Sequence, residues 1–326
     1  MVGPTTLRVL FVTDRCYRNN VRPGQSRLGR HPCGALSQLL VLILLAATAL
    51  RTVSTSSDTW ASKLAGSSAA SWFSSIRHSA SAGGEASWAT YKAHKSKLAG
   101  HPDDASLQLE TAEALLKWVR HTTNGNFPRA AEGRVGEGDS PASRKLWKKH
   151  APEALRLLKS ASAYAQDTRN SYDIAKFRFL HAEASTYLSS SKGILRAALQ
   201  ADAVTFKRNV KPLVEQHPEY QGGVGHTFMG AFYLAAPWPI HDLGKAEFHF
   251  DAALKIDPRC RRNHYCRGLV ALARGDSARA KTSFKQAVRC KPTSTEEEDV
   301  GEFFLRESRG ALRVLETHER EGRIHD

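Results

Sequence analysis

The chain has 326 residues, a formal net charge of +15 and five cysteines. That length holds one sizeable domain with extensions or two small ones, and no alternating strand pattern competes with the helical ones, so a β-architecture is excluded. Cys16 and Cys33 lie near the N-terminus, and the odd set Cys260, Cys266 and Cys290 excludes a disulfide framework.

Seven of the 47 basic residues and one of the 32 acidic ones fall in residues 1–51, so residues 52–326 carry a net +9. This excess suits an acidic partner, but its spread along the chain argues against a nucleic-acid interface. Residues 1–34 read as a basic targeting extension. Residues 35–53, with the apolar run Leu39 to Leu45, read as a signal or a membrane anchor, short for a span unless Arg51 snorkels. Cleavage after Ala47-Thr48-Ala49 would fit a secretory signal, and the preceding arginines would fit a mitochondrial one. The anchor is the preferred reading. Residues 54–84 are rich in Ser and Ala and read as a disordered linker, a composition that also suits a plastid transit peptide.

Helical periodicity runs from Glu85 to Arg320, which predicts one domain over 85–320 and a tail over 321–326. A first helix stops at Gly100-His101-Pro102, and Asp103 or Asp104 caps a second. Asn124 to Pro141, rich in glycine, reads as an inserted surface loop. Helix resumes from Ala142, with Pro152 kinking it or opening a new one. Ser171 or Tyr172 to Ser189 and Ile194 to Gln216 read as a further pair, with Pro212 bending the second. Thr295 and Glu298 form a capping-box pattern that opens a last helix carrying Val300, Phe304, Ala311 and Leu315.

Between Gly230 and Pro292 one pattern occurs twice. Ala246, Phe250, Ala253 and Pro258 recur 34 residues later as Ala280, Phe284, Ala287 and Pro292, and Gly268 precedes Ala280 as Gly230 precedes Ala246, with four extra residues in the first copy. Small Gly and Ala let antiparallel helices approach, and Phe fills the space between that pair and the next. The pattern predicts an all-α, right-handed tetratricopeptide-like helical repeat, an α-solenoid, with the last helix as its C-terminal cap.

Gly230, Tyr233, Pro237-Trp238, Ala246, Phe250, Ala253, Asp257-Pro258, Asn263, Gly268 and the Thr295 to Asp299 segment together resemble the C-terminal domain of the regulator of microtubule dynamics family. Ala236-Pro237-Trp238 before the Ala-x3-Phe helix is also similar to the T component associated with TRAP transporters. The first resemblance implies a membrane-attached scaffold with microtubules as partner. The second implies a carrier of a hydrophobic ligand or lipid.

No His-Glu-x-x-His, Gly-x-Ser-x-Gly, Cys-x-x-Cys or dinucleotide fingerprint is present, so the expectation is a non-enzymatic, protein-binding adaptor without metal or cofactor. Arg262, Tyr265, Leu269 and Leu272 share one face of the second repeat's first helix, and Val224, Thr227, Ala231 and Leu234 are their counterparts. This line predicts an apolar concave groove with Arg262 at its edge, or else the seat of the capping helix. An anchor in the mitochondrial outer membrane would leave the domain in the cytosol beside microtubules, whereas the secretory route or a plastid would not.

Overall fold

The computed structural model describes residues 81–136, 138–192 and 202–325, all within the unit 70–326. The targeting extension, the apolar segment 35–53 and nearly all of the 54–84 linker lie outside the described residues. The described chain is all-helical. Its elements are α1 Ser81–Gly100, α2 Ala105–Thr123, α3 Pro141–Ser160, α4 Ser162–Asp167, α5 Ser171–Ser191, α6 Asp202–Gln216, a 3-10 turn Tyr220–Gly222, α7 Val224–Ala235, α8 Leu243–Ile256, α9 Arg261–Ala273, α10 Ser277–Arg289 and α11 Thr295–His325. Among the described residues there is no strand, only an isolated bridge between Arg129 and Gly136.

Short polar side chains set the helix starts. Asp104, Ser140, Asn170, Asp242 and Asp276 each accept a hydrogen bond from a backbone N–H in the first turn of the helix that follows. Each satisfies a donor that helix geometry leaves without a partner. Asp104 is thus the cap of α2. The opening of α11 differs from expectation by one residue: Ser294 Oγ accepts the Glu297 N–H, and Glu297 reaches back to the Thr293 N–H. Pro152 lies within α3 and Pro212 within α6, so neither opens a new helix. Helix α1 begins at Ser81, before Glu85, and α11 runs on to His325, through most of the segment expected as a tail.

Two apolar cores lie along this row of helices. The first gathers Leu109, Leu115 and Leu116 of α2, Trp147 and Leu158 of α3, Phe179, Leu180 and Tyr187 of α5 and Leu213 of α6. The second gathers Leu234, Phe250, Tyr265, Leu269 and Phe284 with Val300, Phe303 and Phe304 of α11. Phe228 and Tyr233 of α7 pack against both.

Helices α7 and α8 pack as a pair, as do α9 and α10. The reason is steric. A Cβ on Gly268 would lie 2.5 Å from the Phe284 ring, and one on Gly230 would overlap Phe250 in the same way. Ala246, Phe250, Ala253, Ala280, Phe284 and Ala287 are all fully buried. Pro258 and Pro292 stand in the turns after α8 and α10, where no N–H is needed to continue a helix.

Candidate interaction surfaces

The expected concave groove is closed by the chain itself. Val224, Thr227, Leu234, Arg262, Tyr265 and Leu269 are buried, and only Ala231 and Leu272 are half-buried. Tyr265 packs its ring against Phe284, Phe303 and Phe304, and its hydroxyl donates to the Pro128 carbonyl at 2.5 Å. Arg262, expected at the groove's edge, is fully buried. It pairs with Glu296 and donates to the Gln221 and Gly222 carbonyls. Thr227 donates to Asn263. An apolar line of this width costs free energy while it faces water; α11 and the glycine-rich segment cover its α9 end at Tyr265 and Leu269, and Val224 at the other end is buried in the first core with Leu213 of α6.

That glycine-rich segment is not the surface loop its composition predicts. Phe127 and Ala130 are buried, and the Ala130 and Ala131 N–H groups both donate to Glu307 Oε2 at 2.9 Å. Arg129 pairs with Glu307 Oε1. Glycine supplies the fit here: a Cβ on Gly310 of α11 would lie 2.6 Å from Ala131. Glu307 therefore anchors a loop that lies almost 180 residues earlier in the chain.

A second polar network ties α2, α5 and α11 together. Arg120, 5% exposed, pairs with Glu183 at 2.6 Å and Asp299 at 3.1 Å. Asp299 also meets Lys117 and His121. Tyr187 donates to Glu183, and Arg120 lies over the Phe179 ring. Burial pushes the Glu183 carboxyl up to about 7 despite Arg120, while His121, Arg120 and Lys117 outweigh burial at Asp299 and hold it low. At the start of α11, Glu296 pairs with Arg262 and Asp299 with Arg120, so both carboxylates are tied into buried ion pairs.

Two of the three cysteines of the domain and three histidines of the repeat region are held by burial or by hydrogen bonds. Burial pushes the Cys260 thiol up to about 12 and Cys266 higher still, so neither supplies a thiolate near neutrality. His226 and His249 face each other with their Nδ1 atoms 3.1 Å apart; burial lowers both, and burial and then His226 lower His249 to about 4, so His249 is neutral near pH 7. His264 Nε2 is bonded to the Pro258 carbonyl. Among the described residues no group of three or more His, Cys, Asp or Glu could hold a metal ion.

What remains open is charge on the outer face of α3. Lys145, Lys148, Lys149, Arg156 and Lys159 are exposed, on the side opposite the buried Trp147, Ala151, Ala154 and Leu158. None of the five makes an ion pair with another described residue. Glu153, the one acid on the helix, is held by Lys95 at 2.6 Å and by the Tyr91 hydroxyl at 2.7 Å. The sequence carries this stripe at spacings of three, one, seven and three residues, which return to one helix face, and summing charge over the whole chain hides it. Comparison with family models and with curated proteins gives no match to this chain.

Proposed function

We propose that residues 81–325 form a tetratricopeptide-like stack capped by α11, acting as a non-enzymatic adaptor for an acidic protein surface. The architecture is supported by the equivalent packing of Gly230 on Phe250 and Gly268 on Phe284, which gives two successive helix pairs the same internal contact. The acidic partner is supported by the exposed cations of α3. The resemblance to the regulator of microtubule dynamics family makes microtubules, whose surface is acidic, the partner to test. On this reading residues 35–53 hold the chain at the mitochondrial outer membrane, with the adaptor in the cytosol.

Co-sedimentation of the full chain with microtubules tests the partner. Pelleting at low salt that is lost as salt rises is the expected result, because exposed charge contacts are screened. Absence from the pellet at low salt would sink the microtubule reading. A protease added to intact organelles tests the compartment: a tag on Asp326 should be lost without detergent, and full protection would place the domain elsewhere.

The second reading, carriage of a hydrophobic ligand, loses the groove it was built on. A different feature favours it: a cleft of about 450 Å³ beside α5, lined by Leu155, Phe177 and Leu188 together with Lys159 and His181. Lipid extraction and mass spectrometry of the purified chain test that alternative.

A further inference from the structure

The outer face of α3 is a narrow cationic row. Lys145, Lys148, Lys149, Arg156 and Lys159 advance by three, one, seven and three residues, which at helical pitch keeps them within roughly 100° of arc over about 21 Å. Pro152 lies among them and Glu153 stands to one side. The acid on α3 itself and the one just before its cap are engaged: Glu153 by Lys95 and Tyr91, and Asp139 by Arg144. The row therefore presents its charge outward, and Lys149 and Lys95 together help lower the pKa of His150, after burial as the main cause.

We propose that this row is the docking site for an extended, carboxylate-rich peptide segment. The inference rests on the adaptor reading above and names the surface that reading lacks. Three features select the occupant. An extended strand rises about 3.3 Å per residue, so six or seven residues match the row's length, with side chains on one face meeting successive cations. Four of the five cations are lysines, point charges that do not impose the two-pronged geometry with which arginine prefers phosphate. Among the described residues the large exposed apolar side chains Tyr172, Val204, Trp238 and Phe248 lie away from α3, so no large exposed apolar side chain flanks the row on its own helix to hold it in a bilayer.

The test uses the full chain and a fluorescein-labelled dodecamer of glutamate, read by fluorescence anisotropy at low and at physiological salt. Lys148→Glu combined with Arg156→Glu reverses two charges in the row. Lys285→Glu combined with Arg289→Glu changes net charge equally on exposed positions of α10. Circular dichroism and thermal melts confirm that both variants fold. The α3 variant is expected to lose affinity by about tenfold or more and the α10 variant by about twofold or less, with binding weakening as salt rises. Equal losses in both variants would overturn the proposal in favour of diffuse net charge. Binding to phosphatidylserine vesicles without binding to the peptide would overturn it in favour of a lipid surface. Microtubule pelleting separates this inference from the reading it rests on. If wild type and the α3 variant pellet equally, the row is refuted and the adaptor stands; if the peptide binds through α3 without pelleting, the row stands and the microtubule partner falls.

Discussion

Glu297 accepts the backbone N–H of Arg262 at 2.6 Å, which makes a side chain of α11 the cap of α9. Helix α9 has no cap of its own: Cys260 occupies that position and makes no side-chain bond to the first turn. Cysteine is a poor cap because sulfur accepts weakly. The other oxygen of Glu297 accepts from the Thr293 N–H and hydroxyl, so one carboxylate closes the starts of two helices at once.

Glu297→Ala should therefore unfasten both helices. Two buried or half-buried N–H donors lose their acceptor, and the expected loss is about 2–4 kcal/mol, larger than the usual cap deletion of about 1 kcal/mol. Urea denaturation measures it. A loss no greater than that of a single exposed cap, such as Asp276→Ala at α10, would mean that water replaces Glu297 at little cost.

Gly268→Ala should cost about 1–3 kcal/mol, because the added methyl group meets the Phe284 ring and neither helix can withdraw without opening the core. Gly100→Ala is the control, since a Cβ there meets nothing within 4 Å. The decisive measurement is a double-mutant cycle with Phe284→Leu: the glycine substitution should cost less once the ring is gone, and additive costs would show that the contact does not fix the pair.

The repeated Gly, Ala and Phe positions were legible in the sequence because close helix packing demands those residue types at a fixed interval, but that each Phe closes on the Gly of its own pair, not on the next pair, was not. The caps of α2 and α11 were legible from local polar residues to within a residue, whereas the capping of α9 by Glu297 was not. The fate of the α9 face was not. Whether Tyr265 and Leu269 border an open groove depends on where α11 folds back, and on a loop whose Pro128 lies 137 residues before Tyr265. Loop composition predicted exposure, yet the small side chains that make a loop flexible also let Ala131 approach Gly310. The α3 row was readable as spacing, but only the buried face opposite it and the occupied neighbours Glu153 and Asp139 show that its charge is unspent.

Tyr265→Phe removes one hydroxyl and leaves the buried Pro128 carbonyl without its donor. A loss of about 1–2 kcal/mol is expected, with the ring packing unchanged. The effect should also be local. Trypsin should cut faster after Arg134, an exposed residue in the same loop, under conditions where the rest of the domain resists. Unchanged cleavage at Arg134 would mean that Glu307 alone holds the loop.

The last prediction concerns pH and turns on Arg120, which serves two carboxylates. Glu183 and Asp299 both meet it, Tyr187 donates to Glu183, and Glu296 stands near enough to add to the negative charge. Burial, then the neighbouring carboxylates, outweigh Arg120 and Tyr187 and raise Glu183 from 4.5 to about 7. The folded protein therefore binds this proton more tightly than the unfolded chain does, and the contribution of Glu183 to stability falls as pH rises from about 4.5 to 7, by at most ~3 kcal/mol. Asp299 has the opposite sign: its folded carboxyl is held low, so its contribution is present above the unfolded pKa and lost as pH falls through the folded one. Glu183→Gln keeps the shape and removes the titration, and because Asp299 is common to both proteins it largely cancels in their difference. Thermal melts from pH 5 to pH 8 should show the variant gaining on wild type as pH rises. A difference that stays flat, or that moves towards wild type at pH 8, would mean that Arg120 holds Glu183 ionised throughout and that the buried pair is fully matched.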